Sequence, residues 1–199
     1  MFNLSGILCL IMLIFSSCLQ NKTGKDFKNR LKPVPLQYFL ATDSNFSHHE
    51  DTLFYEGKKF SGHTYLLFSP QDTVFTGSYL NGLEEGVFKK WYPNKQLAET
   101  RFYIDGKKEG NHKGWWENGK PKFNYNFLSG EHQGELTEWY NSGNMFRHFN
   151  YQMGYEEGAE KMWWENGTIR ANYVVKKGKK YGLIGLKICS NPFDSVIKK

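Results

Sequence analysis

GKKEGNHKGWWENGKPKFNYNFLSG, residues 106–130, is the stretch that decides the fold. It begins and ends on glycine, and a further glycine, Gly110, stands four residues in. The same frame recurs on both sides. Leading glycines stand at Gly82, Gly106, Gly130, Gly154 and Gly178, and second glycines at Gly86, Gly110, Gly134, Gly158 and Gly182, always 24 residues apart. An aromatic pair keeps the same period: Trp91-Tyr92, Trp115-Trp116, Trp139-Tyr140 and Trp163-Trp164. A turn dipeptide follows, Asn94-Lys95, Asn118-Gly119, Ser142-Gly143 and Asn166-Gly167, and the units close on Tyr103, Phe127, Tyr151 and Val175. Self-similarity at a short fixed period marks a stacked repeat architecture.

Each unit reads as a β-hairpin. Asn-Gly between two alternating runs signals a type I′ turn, which needs positive φ at both central residues. Asn118-Gly119 and Asn166-Gly167 fit it. Gly86 to Pro93 supplies one strand and Gln96 to Tyr103 the next. In the second strands one face carries the columns headed by Leu97, Arg101 and Tyr103, largely apolar or aromatic, as a half-buried sheet requires. The glycine-rich segments from Asp105 to Gly110 and from Ser129 to Gly134 become the turns between hairpins. The expected fold is all-β: an elongated antiparallel sheet of stacked 24-residue hairpins. Gly62 and Leu67-Phe68 form an imperfect unit before Gly82, as a capping repeat would.

A unit of G-x-x-x-G, two aromatics, N-G and a closing aromatic resembles the MORN repeat in its bacterial variant form. The resemblance runs over roughly residues 50 to 185 and departs at Lys95, at Pro121 and in the last unit. It implies a fold of stacked hairpin repeats. Relatives of this kind are commonly labelled antitoxins of toxin–antitoxin systems, or lipoproteins, so a toxin-like protein partner is what the resemblance implies.

The N-terminus adds a location. Residues 2–17 carry no charge, and Ile7 to Phe15 is apolar but shorter than the roughly 20 residues of a membrane span. It fits a secretory signal, residues 1–17. Phe15-Ser16-Ser17-Cys18 resembles a bacterial lipobox, which makes Cys18 the lipidation site; the alternative is an ordinary cleaved signal with an incidental cysteine. Residues 18–49 then hold the lipidated cysteine and a basic tether, in which Lys22, Lys25, Lys28, Arg30 and Lys32 oppose Asp26. Such a segment lies against anionic head groups or simply stays solvated. Residues 50–190 are the repeat domain and 191–199 a polar tail. The expected location is the bacterial cell envelope, by a lipid anchor.

No residue pattern points to catalysis. The six histidines include no H-E-x-x-H, cysteines at metal spacing are missing, and no G-x-S-x-G or P-loop occurs. No metal and no cofactor are expected. His48-His49-Glu50 is a weak metal candidate on diverging side chains. The formal charge of +6 resides in the tether and in Lys198-Lys199, so the repeat body is near neutral and nucleic acid is not an expected partner. Acidic residues at the glycine turns argue against phosphate there. The glycine columns Gly82 to Gly158 and the tryptophans Trp91, Trp115, Trp139 and Trp163 serve stacking. Partner choice should then lie at positions that change between units on the solvent face. Lys122, Phe146 and Arg170, in one column with Ala98, are the candidates, against the alternative that Phe146 only pairs across strands with a neighbouring ring. The aromatic pairs are either an exposed ladder or packed rings. The function read from this is an envelope-anchored binder of a partner protein, with an envelope structural module contacting lipid or glycan as the alternative and an enzyme as the third reading.

Overall fold

The computed structural model describes residues 29–185. Cys18, the signal segment, Cys189 and the tail lie outside the described residues. The chain divides into two units, Met1–Lys32 and Pro33–Lys199, and among the described residues every strand belongs to the second.

Strand β1 (Tyr38–Leu40) leads to a small three-stranded sheet of β2 (Phe46–His49), β3 (Thr52–Tyr55) and β4 (Lys58–Lys59). A first hairpin follows, β5 (Gly62–Ser69) with β6 (Asp72–Leu80). The repeats then supply β7 (Leu83–Glu84), β8 (Gly86–Trp91) and β9 (Leu97–Ile104); β10 (Lys107–Lys108), β11 (Gly110–Trp115) and β12 (Pro121–Leu128); β13 (Glu131–Trp139) and β14 (Met145–Gln152); β15 (Tyr155–Glu156), β16 (Gly158–Trp163) and β17 (Ile169–Lys176); and finally β18 (Lys179–Leu183). Fifteen strands make one long sheet in the order β1-β5-β6-β8-β9-β11-β12-β13-β14-β16-β17-β18, with β7, β10 and β15 on β6, β9 and β14. All pairs are antiparallel except β1 on β5.

Register follows the repeat. Gly86 faces Tyr103, Gly110 faces Phe127, Gly134 faces Tyr151 and Gly158 faces Val175. The two turn types are the reverse of the sequence expectation. Positive φ at both central residues occurs between hairpins, as at Asp105 (50°) and Gly106 (75°), flanked by the pair Ile104 and Lys107. At Asn118-Gly119 only the glycine has positive φ, 80°. Gly119 N–H donates to the Trp116 carbonyl and Trp116 N–H to the Lys120 carbonyl, both at 2.8 Å. This is the three-residue loop, a type I turn closed by a left-handed glycine. The asparagine serves as a side-chain cap: Asn118 Oδ1 accepts from Lys120 N–H at 3.0 Å. Lys95 fills the glycine's place with φ 68°. Pro121 heads its strand, where a missing N–H costs least.

The core is a chain of rings on one face. Tyr79, Phe88, Tyr103, His112, Phe127, His132 and Tyr151 follow one another with centroids 4.3–5.6 Å apart. Ala171, Tyr173 and Val175 continue it as a buried cluster. Residues of the segment assigned to the tether enter the fold at its other end. Phe39 and Phe46 pack on Tyr55 and Phe60, with centroids 4.6–5.3 Å apart. The ordered fold therefore starts before residue 50. This aromatic cap follows no 24-residue frame, so periodicity could not reveal it.

A second column holds successive turns together. Glu85 and Glu109 are buried, at 1% exposure each. Glu85 Oε2 accepts from Asp105 N–H at 2.9 Å, Glu109 Oε2 from Ser129 N–H at 2.7 Å, and Gln133 Oε1 from Met153 N–H at 2.9 Å. Each acceptor thus pins the left-handed residue of the next turn. The acidity of these turns is structural in origin.

Candidate functional site

Side chains of a strand alternate between faces, and residues opposite each other on adjacent strands share a face. On the aromatic face, Lys90, Arg101, Arg147 and Lys180 each meet a carboxylate. Glu99 receives Lys90 Nζ at 2.9 Å and Arg101 at 2.9 Å. Burial pushes the Glu99 carboxyl up, but hydrogen bonds from Lys90 and Arg101 win and hold it below its ordinary range. Arg147 reaches Glu138 at 2.6 Å, and Tyr125 also donates to Glu138; burial and that carboxylate raise the phenol. Lys180 meets Glu156 at 2.6 Å. A cleft of about 270 Å³ opens on this face beside Phe75, Tyr79, Glu84, Phe88, Glu99 and Arg101. Within it Lys90 and Arg101 pair with Glu99, and burial pushes the Glu84 carboxyl up to about 7. Among the described residues, no three His, Cys, Asp or Glu side chains gather to hold a metal.

The polar face is arranged differently. Register runs in one row across the sheet: Thr76 opposes Lys89, Lys89 opposes Thr100, and Thr100 opposes Lys113. The row continues through Asn124, Thr137, His148, Lys161 and Asn172. Apolar groups share this face at both ends of the row: Val87, Phe102 and Ile104 towards β8–β9, and Val174, Tyr181 and Leu183 at β17–β18, where Leu183 opposes Asn172.

Lys122, Phe146 and Arg170 occupy a special place between row and loops. In each hairpin the ladder slips by one residue just before the aromatic pair. Glu138 faces Arg147, but Trp139 faces Met145, which leaves Phe146 without a partner across the ladder. The same slip frees Lys122 between Pro121 and Phe123, Arg170 between Ile169 and Ala171, and Ala98 between Leu97 and Glu99. The column is thus the β-bulge of each unit, and a bulge re-aims the side chain it carries. All three candidates turn onto the second aromatic of their own unit. Lys122 Nζ sits 4.5 Å from the Trp116 ring centre, Arg170 4.6 Å from that of Trp164, and the Phe146 ring 5.1 Å from that of Tyr140. They are half-buried. Phe146 packs on the Tyr140 ring of its own hairpin and not on a partner across the ladder.

The second aromatics also tie units together. Tyr92 Oη donates to the Trp115 carbonyl at 3.0 Å, Trp116 Nε1 to the Trp139 carbonyl at 3.1 Å and Tyr140 Oη to the Trp163 carbonyl at 3.0 Å. Trp115 and Trp116 are both half-buried rather than one in and one out, because β11 ends at Trp115 and Trp116 has left the strand. Trp164 is 50% exposed. The repeated glycines from Gly82 to Gly158 all have positive φ, 64–102°.

These features define a class, the β-hairpin repeat proteins. Within the chain, residues 84–105 match the family model of the MORN repeat variant. The match takes in Glu85, Lys89, Trp91, Ala98 and Tyr103, one full set of the columns described above. It points to a repeat-protein binding module. No curated protein matches the chain.

Proposed function

We propose that this protein is a non-enzymatic binding module, lipid-anchored through Cys18 at a bacterial cell envelope, that holds a partner protein on the polar face of its sheet. The observation that supports it most is the bulge column. A frame repeated four times presents, at the position where the ladder itself releases a side chain, Ala98, Lys122, Phe146 and Arg170. Stacking needs no particular residue there, so variation is free to serve recognition. Cations and rings at such positions suit interface hot spots. An antitoxin- or immunity-like role, with a toxin as the partner, rests on the family resemblance; the anchor rests on Phe15-Ser-Ser-Cys18.

Two measurements test this reading. Wild-type and Cys18→Ala chains are fractionated and labelled with a palmitate analogue; equal membrane retention without label refutes the anchor. Full-length wild type and the double variant Phe146→Ser with Arg170→Glu are then cross-linked in the envelope, and their melts compared. One stoichiometric protein captured by the wild type and lost by a variant with an unchanged melt is the expected result. Capture unaffected by the variant refutes the bulge column as the contact. Lipid or glycan recovered in place of a protein replaces this reading with that of an envelope structural module.

A further inference from the structure

We propose that the row of the polar face binds an acidic protein surface, which makes the partner of the preceding section an acidic one; the inference rests on that reading. Charge supports it. On the aromatic face Lys90, Arg101, Arg147 and Lys180 pair with Glu99, Glu138 and Glu156, and Lys108 lies over the Phe127 ring. Lys89, Lys113 and Lys161 are exposed and form no ion pair among the described residues. Each stands three residues after a second glycine, so the repeat sets all three in the same row, with Thr137 at the fourth place. The carboxylates on this face are few: Glu131 near the β12–β13 turn, and Glu135, 3.8 Å from His148. The repeat body is near neutral as a whole, yet three exposed cations without an ion-pair partner line up in one row on this face.

Spacing selects the partner class. Lys89 and Lys113 are two strand steps apart, about 10 Å, and Lys113 and Lys161 four, about 19 Å. A nucleic-acid strand offers a phosphate about every 3.4 Å and rewards denser cations. Carboxylates on a protein surface are spaced more widely, and the row between the lysines offers Thr100, Asn124 and Thr137, which pair with peptide and amide groups. A basic row opposite an acidic patch chiefly raises the association rate and excludes wrong partners.

The test uses the full-length chain and labelled poly-L-glutamate, with a 20-nucleotide oligothymidylate in parallel, by fluorescence anisotropy at low and physiological salt. A row variant, Lys89→Gln, Lys113→Gln and Lys161→Gln, is compared with a control that loses the same charge elsewhere, Lys58→Gln, Lys59→Gln and Lys177→Gln. The row variant should lose about tenfold or more in affinity for poly-L-glutamate and the control less than about threefold, with the three row lysines changed to arginine binding as wild type. Equal losses in row and control variants, tighter wild-type binding of the oligothymidylate, binding of neither polymer, or loss in a folded arginine variant each overturn the inference. A protein partner captured through Phe146 and Arg170 but indifferent to the row variant overturns it while leaving the binding module intact; capture of no protein at all strikes the module.

Discussion

Glu109 offers the sharpest test of how the units are locked. Its carboxylate is buried and accepts the Ser129 N–H at 2.7 Å, across the gap between one turn and the next. Glu109→Ala deletes a charged acceptor, a bond worth about 1.5–3 kcal/mol, and leaves a cavity besides. A domain of this size loses about 2–4 °C of melting temperature per kcal/mol, so a fall of about 3–12 °C is expected. Glu109→Gln should behave otherwise. The third unit already uses Gln133 for the same bond, to Met153 N–H at 2.9 Å, so an amide oxygen satisfies the turn and removes a buried charge. The glutamine variant should melt within about 3 °C of wild type, a loss below about 1 kcal/mol. Calorimetry or circular dichroism on the two variants decides. A glutamine variant as damaged as alanine refutes the reasoning, because the charge and not the acceptor geometry would then hold the turn. An undamaged alanine variant refutes it from the other side.

Two further outcomes follow from the backbone and from burial. Gly130 has φ 96° with open space where a Cβ would sit, so Gly130→Val should cost about 1–3 kcal/mol through backbone strain alone, and an unchanged urea midpoint would contradict this. Glu160 is fully buried and its carboxyl is pushed up from 4.5 to about 7 by burial. Because the folded value lies above the unfolded one, its contribution is complete below about pH 4.5 and is lost as pH rises through about 7, by at most about 3 kcal/mol. His112 runs the opposite way: burial lowers it from 6.5 to about 4, so its contribution is present above pH 6.5 and fades as pH falls. Glu160→Gln should therefore gain melting temperature relative to wild type on going from pH 5 to pH 8. A constant difference between the two would show that Glu160 does not titrate in this window.

Stacking was legible in the sequence because it makes the same demand of every unit. A left-handed φ at Gly106, Gly130 or Gly154 recurs wherever a hairpin joins the next, so the residue recurs too. Glu85, Glu109 and Gln133 were equally visible, one residue before each second glycine, but an acid in a turn reads as solvated until the distance to the next turn's N–H is known. The N-terminal cap was hidden for the opposite reason. Phe39, Phe46 and Phe60 cover an end that occurs once, so nothing in the chain repeats them.

The candidate site was half legible, and the bulge explains which half. Counting in steps of 24 aligns Ala98, Lys122, Phe146 and Arg170 correctly, since an extra residue present in every unit leaves the period unchanged. The same count cannot detect that extra residue, because periodicity compares one unit with the next and never one strand with its partner. Alternation alone therefore assigns these side chains to the solvent face, where they would stand in line with the lysines. The slip between Glu138 and Trp139 instead sets Phe146 against Tyr140, and its equivalents set Lys122 and Arg170 against Trp116 and Trp164. Lys89, Lys113 and Lys161 lie on the regular side of the slip, keep their cross-strand partners Thr100, Asn124 and Asn172, and form the flat row. The bulge thus sets Lys122 and Arg170 against rings at the loop side and leaves Lys89, Lys113 and Lys161 along the sheet. A partner that reads both must contact the row and the loop side together, which is why the row variant and the bulge variant are expected to weaken the same complex independently.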